Sequence, residues 1–172
     1  LKIATDRPIV LFICRLHPQK RPFLMLKIAE QVKKEIENVA FVVIGDGPQE
    51  EELQAAAESM NLTETVYFLG AKSEVRPYYR DAKLTLICSM KEGLALTAYE
   101  SCAMGVPVIS ADVGGQKDLI DNEVGALCRM KNRILMYVRF RKLKLLHIRM
   151  QLLKYYRMII NGIYCPKNVV AE

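Results

Sequence analysis

Two glutamates, Glu92 and Glu100, bracket Gly93, Leu94, Ala95, Leu96 and Thr97 in the stretch EGLALTAYE, where a run of good helix formers begins. The amino end of a helix presents unpaired N–H groups and a partial positive charge, which suits an anion such as a phosphate. If the amides near Leu94, Ala95 and Leu96 cap a phosphate, carboxylates on either side can accept hydrogen bonds from neutral hydroxyls. Each carboxylate has two acceptor oxygens, which match the vicinal hydroxyls of a ribose or a sugar ring. Two polyols joined by a phosphate bridge describe a nucleotide-sugar. Two glutamates eight residues apart also arise by chance, so the pattern needs support from elsewhere in the chain.

A second stretch, ICRLHPQKRP, contains no glycine. It matches neither the G-x-G-x-x-G turn of dinucleotide-binding folds nor a phosphate-binding P-loop. It offers a guanidinium and an ammonium, Arg15 and Lys20, five residues apart. Such a pair can neutralise a diphosphate without a glycine cradle, Arg as a fork and Lys as a point charge. Taken alone, the two read more simply as solvated loop charges.

The elements that must position these residues alternate. IVLFICRL (9–16) reads as a buried strand, and 21–38 as a helix entered through Pro22. VAFVVIGDG (39–47) is the next strand, followed by a helix over 48–62 with acids in its first turn. TVYFLG (65–70), LTLICS (84–89), PVISAD (107–112) and GALC (125–128) are further strands, and Gly105 with Pro107 closes the helix before PVISAD. This order predicts an α/β fold, a Rossmann-like parallel sheet covered by helices on both faces. Ligands of such sheets bind beyond the carboxyl ends of the strands. Four unusual clusters fall there: Arg15 to Lys20, Gly45-Asp46-Gly47, Ser89 to Leu96, and Asp112 to Gly115.

The 172 residues suffice for one domain with a sizeable core, and no apolar run reaches the roughly 18 residues of a membrane span. A chain that opens at LKIATDRPIV, with neither Met nor leader, reads as an excised soluble fragment. The five cysteines lack metal-ligand spacing, and Cys14, Cys88 and Cys128 lie in apolar runs as small core groups of a reducing compartment. The net charge of +6 divides unevenly: residues 1–128 hold 14 Lys/Arg against 18 Asp/Glu, and residues 129–172 hold 11 against one. Two parts are therefore expected, a mildly acidic domain over 1–128 and a basic, mostly helical segment over 129–172.

RLHPQKRP, VVIGDGPQEEEL, VYFLGAKSEV, SMKEGLALTAYESCAMGVPVISADVGG and NEVGALC, in that order, resemble the glycosyl transferases group 1 family, retaining nucleotide-sugar-dependent enzymes of the GT-B fold. The resemblance covers roughly residues 7 to 128. It implies the C-terminal, donor-binding half of a two-domain enzyme that transfers a hexose. Carried over by position, Arg15 and Lys20 hold the diphosphate, Glu92 contacts hydroxyls of the transferred sugar, and Glu100 binds the ribose. Gly93 to Thr97 supply phosphate contacts, and Ala71 to Val75 lie near the base. Arg15, Lys20 and Glu92 are thus the candidate catalytic residues, with no resident cofactor or metal and a UDP-, GDP- or ADP-sugar as donor substrate.

The chain departs from the family pattern in several places. Cys14 stands where glycine is frequent before the Arg, Arg21 where glycine often follows the Lys, and Leu94-Ala95 where Phe-Gly is frequent. The methyl of Ala95 is expected to crowd the approach to phosphate slightly. Lys83 replaces an Asp common before the fourth strand. The partner implied is an N-terminal half that binds the acceptor, without which little transfer is expected; neither His17 nor His147 has the context of a general base.

The stretch 133–160 reads as one or two helices. It would lie on an anionic membrane, meet the absent domain, or not be native sequence at all. Nucleic-acid binding is not expected, since no aromatic-interleaved basic platform is visible. The location implied is cytoplasmic, peripheral to the inner membrane face if the basic segment docks there. Competing functions are a nucleotide-sugar 2-epimerase-like domain and a non-catalytic membrane or partner-binding module.

Overall fold

A computed structural model describes residues 7–120 and the strands 125–131 and 135–137, the latter two by backbone only. The parallel strands are β1 (Ile9–Ile13), β2 (Ala40–Ile44), β3 (Val66–Phe68), β4 (Leu84–Ile87), β5 (Val108–Ala111) and β6 (Gly125–Lys131). Between them lie helices α1 (Pro22–Glu35), α2 (Glu50–Ser59), α3 (Arg76–Asp81), α4 (Leu96–Ala103) and α5 (Gln116–Leu119). A final strand, β7 (Leu135–Tyr137), pairs antiparallel with β6. The sheet order is β3-β2-β1-β4-β5-β6-β7, so the winding reverses between β1 and β4.

Strand period decides what each face buries. Side chains alternate along a strand, and in β1 Val10 and Phe12 enter one core while Ile9 and Leu11 enter the other. Phe41 and Val43 of β2 follow the first pair, and Ala40, Val42 and Ile44 the second. The first core is closed by Met25, Leu26, Ile28, Ala29 and Val32 of α1 with Leu53 and Ala57 of α2. The second is closed by Tyr79 of α3 and by Val106. Both strands are buried on both faces, which is why they read as continuous apolar runs. At the opposite edge from the expected site, Arg7 ties three strand ends together through the carbonyls of Asn38, Val39 and Glu64 and the hydroxyl of Tyr67.

Local signals in the sequence hold. α1 begins at Pro22, and Glu50, Glu51 and Glu52 occupy the first turn of α2. α4 ends with Gly105 in the left-handed region (φ 70°), its N–H bonded to Cys102 O at 3.0 Å and that of Val106 to Ser101 O at 2.9 Å. This paired pattern satisfies two terminal carbonyls.

The helical expectation for 133–160 fails where the backbone is described: Leu135–Tyr137 is a strand, paired with Arg129–Lys131. An otherwise unpaired edge strand offers a row of N–H and C=O groups, and pairing with it outweighs local helix propensity. β6 also runs straight across Cys128, where the composition changes. The remainder of 138–160 lies outside the described residues.

Open space surrounds the position where a Cβ would sit on Gly105, so only the left-handed backbone opposes a side chain there. Gly105→Ala is expected to cost about 1 kcal/mol in urea unfolding, without a change in denaturant slope.

Candidate functional site

The four clusters beyond the strand ends do meet. The chain after β1 forms a 3-10 turn, Pro18–Lys20, capped by His17, whose Nδ1 accepts from the Gln19 N–H at 3.3 Å. Gln19 anchors that turn to the loop after β4: its Nε2 donates to Lys91 O at 2.9 Å and its carbonyl accepts from Met90 N at 2.8 Å. Lys20 Nζ then lies 2.5 Å from Glu92 Oε1, and Ser89 Oγ donates to the same oxygen at 2.5 Å. Glu92 Oε2 takes no hydrogen bond among the described residues. The Glu92 side chain keeps 8% of its surface and that of Lys20 keeps 26%. A carboxylate this dry needs a cation and a donor beside it, and it has both.

The other two clusters form the walls. Leu16 N donates to Asp46 O at 2.7 Å, and a Cβ on Gly45 (φ 129°) would stand 2.0 Å from Cys14 O. Gly115 N donates to Gly93 O at 2.8 Å, and a Cβ on Gly114 (φ 58°) would stand 1.7 Å from Glu92 O. Only glycine lets the loop after β5 close on the Glu92 backbone. Together these contacts leave a shallow cleft lined by Lys20, Ser89, Glu92 and Thr97 over a floor from β1 and β4. It opens where the sheet reverses its winding, the usual ligand crevice of such sheets.

Thr97 connects this cleft to the second acid. Thr97 lines the cleft, and its carbonyl lies 3.3 Å from the hydroxyl of Tyr79. The same hydroxyl donates to Glu100 Oε2 at 2.9 Å. Burial, reinforced by Glu100, holds the Tyr79 phenol protonated well above its ordinary range. Glu92 and Glu100 therefore stand on either side of the first turn of α4. Gly93, Leu94 and Leu96 are exposed beside them, and Leu96 keeps 75% of its surface.

Arg15 is exposed one residue beyond the cleft-lining Cys14 and makes no ion pair among the described residues. Ala71 to Glu74 are exposed after β3, and Gly70 O accepts from Gly45 N at 3.0 Å.

Two departures from the family pattern now have physical readings. Ala95 is 6% exposed, and its methyl belongs to the core with Ile87, Ala98, Val108 and Ile120 instead of crowding the approach to α4. Its backbone (φ −79°, ψ 111°) suits any residue. Arg21, in contrast, sits in the left-handed region (φ 53°, ψ 54°), where glycine carries the least strain.

The sequence placed Ser89 at the head of a strand-end cluster without a role for it, and gave Tyr79 no place in the site. Ser89 lies three residues before Glu92 and carried a usable signal; Tyr79 carried none, because its partner is 21 residues away. The thiols of Cys14 and Cys88 are both pushed up from 9.0 to about 12, chiefly by burial, and they stay protonated at neutral pH.

The model of the family described as glycosyl transferases group 1 matches residues 1–155. The chain belongs to this family. The match runs beyond Cys128, where the resemblance in sequence motifs ends. A GalNAc-alpha-(1->4)-GalNAc-alpha-(1->3)-diNAcBac-PP-undecaprenol alpha-1,4-N-acetyl-D-galactosaminyltransferase of Campylobacter jejuni is 39% identical over 122 residues, covering 69% of this chain and 33% of the relative. The D-inositol 3-phosphate glycosyltransferase of Nocardia farcinica is 33% identical over 139 residues, covering 75% and 31%. Among solved structures, S. aureus TarM with UDP superposes with a TM-score of 0.70 at 26% identity, over 91% of this chain and 29% of TarM. Anabaena HepE with UDP-glucose gives 0.69 at 20% identity, over 92% and 42%, a likeness of fold. This group 1 chain spans about a third of the length of the curated relatives. Among its described residues no helix is long and apolar enough to cross a membrane, and no cluster of three His, Cys, Asp or Glu would hold a metal.

Two predictions follow from the geometry. Lys20→Met leaves Glu92 without its cation, and the variant is expected to lose about 2 kcal/mol in denaturant unfolding, the low side for a buried pair because Lys20 is partly hydrated. The folded pKa of both thiols is raised above the unfolded value, so their contribution is complete below pH 9 and lost as pH climbs toward about 12. Unfolding midpoints should fall across that window, and less steeply in a Cys14→Ala, Cys88→Ala double variant.

Proposed function

We propose that the cleft is the donor site of a hexosyltransferase, holding a nucleoside diphosphate sugar whose hexose passes to a glycan or glycolipid acceptor carried by a second domain. The observation that carries this reading is the buried Lys20–Glu92–Ser89 cluster, set at the reversal point of the sheet and linked through Thr97 to Glu100. Arg15 and Lys20 face the diphosphate, Lys20 with the ammonium protons that Glu92 does not take. Amides from Gly93 to Thr97 at the start of α4 face the same phosphates. Glu92 offers Oε2 to hydroxyls of the hexose, Glu100 accepts from the ribose, and the base lies toward Ala71–Val75.

As the anomeric C–O bond breaks, negative charge gathers on the leaving diphosphate, and fixed cations and amides aimed at it lower the barrier. Losing one such donor typically costs about 3 kcal/mol, on the order of a hundredfold in rate. No resident cofactor is required for this chemistry. UDP in TarM favours a uridine donor, and the undecaprenol-linked saccharide named for the Campylobacter relative favours a lipid-linked acceptor.

Titration calorimetry with UDP, GDP and ADP tests the reading. One nucleotide is expected to bind the 172-residue chain, and Glu100→Ala to weaken it at least about tenfold. Affinity for anionic vesicles with none for any nucleotide would favour a surface-binding module instead. Sugar transfer by this chain alone is expected to be negligible, and measurable turnover would refute the assignment of the acceptor to a second domain.

A further inference from the structure

We infer that Tyr79 is the positioning residue for Glu100, fixing which of its carboxylate oxygens is left for ligand; the inference rests on the donor-site reading above. Glu100 is exposed on α4, and an exposed glutamate samples many rotamers. Tyr79 differs in every respect. Its residue is fully buried among Ile9, Leu11, Val42 and Ile44, so packing sets where its hydroxyl stands. That hydroxyl has one proton to give, and the nearer acceptor is Glu100 Oε2 at 2.9 Å, with Thr97 O at 3.3 Å. Oε2 is thereby held against α3, and Oε1 remains to accept from a ligand diol. The same hydroxyl sets the carboxylate relative to the first turn of α4, whose Thr97 lines the cleft. Ordering a flexible side chain before a ligand arrives removes that cost from binding.

The test compares whichever of UDP, GDP and ADP the wild type binds with the 2′,3′-dideoxy analogue of that nucleotide on the full chain by calorimetry, in wild type, Tyr79→Phe, Glu100→Gln and the double variant. Phenylalanine keeps the buried ring, and thermal unfolding checks that the variants remain folded. Tyr79→Phe is expected to weaken the parent nucleotide about five- to tenfold and to leave the dideoxy analogue unchanged, with no further loss when added to Glu100→Gln. Equal loss for both nucleotides would reduce Tyr79 to a structural residue, and no loss for either would also overturn the inference. Wild type that binds none of UDP, GDP and ADP, or binds its nucleotide and the dideoxy analogue alike, would overturn the reading of Glu100 itself. Failure of the site and failure of Tyr79 therefore appear in different proteins of the set.

Discussion

A carboxylate that keeps only 8% of its side-chain surface is stable as an anion only when a cation and a hydrogen-bond donor stand against it, and Glu92 finds the first in Lys20, 72 residues away, and the second in Ser89, three residues away. Lys20 comes from the turn after β1 and Ser89 from the end of β4, and their shared contact with one oxygen joins the two strands on either side of the reversal point. Gln19 supports the contact from below through Lys91 and Met90. Gly114 and Gly115 close it from the side, where any Cβ would strike the backbone of Glu92 or Gly93. The cleft is a consequence of these restraints, which hold a cation, an acid and the start of α4 at fixed separations.

The site divides in two around that first turn. On one side are Glu92 and Ser89, nearly closed from water, with the partly hydrated Lys20; on the other is Glu100, exposed but tethered by a phenol whose ring belongs to the core. A tight, desolvated half strengthens electrostatics where charge would change, and a wetter half suits hydroxyl recognition. The thiols of Cys14 and Cys88 add apolar bulk to the floor and remain protonated, so they bring no nucleophile to it.

Much of this was legible in the sequence. Apolar runs and glycine-marked strand ends specified a parallel sheet, because strands buried on both faces cannot alternate with polar residues. Pro22, the acids at 50–52 and Gly105 marked helix ends through backbone preferences that act locally. Lys20 and Glu92 could be singled out because charged residues beyond strand ends are conspicuous, and Glu100 because it faces Glu92 across the start of a run of helix formers. Leu135–Tyr137 could not be read correctly, since its strand character comes from pairing with β6 and not from its own residues.

What the sequence determined by itself was the order of elements, the faces they bury and the edge of the sheet where polar residues gather, all set by periodicities of two and 3.6 residues. The tertiary structure alone decided the partners: that Lys20 pairs with Glu92, that Ala95 turns its methyl into the core, and that Tyr79 reaches Glu100. Such contacts link residues tens of positions apart. They depend on how strands cross and how loops close, and no local propensity encodes that geometry.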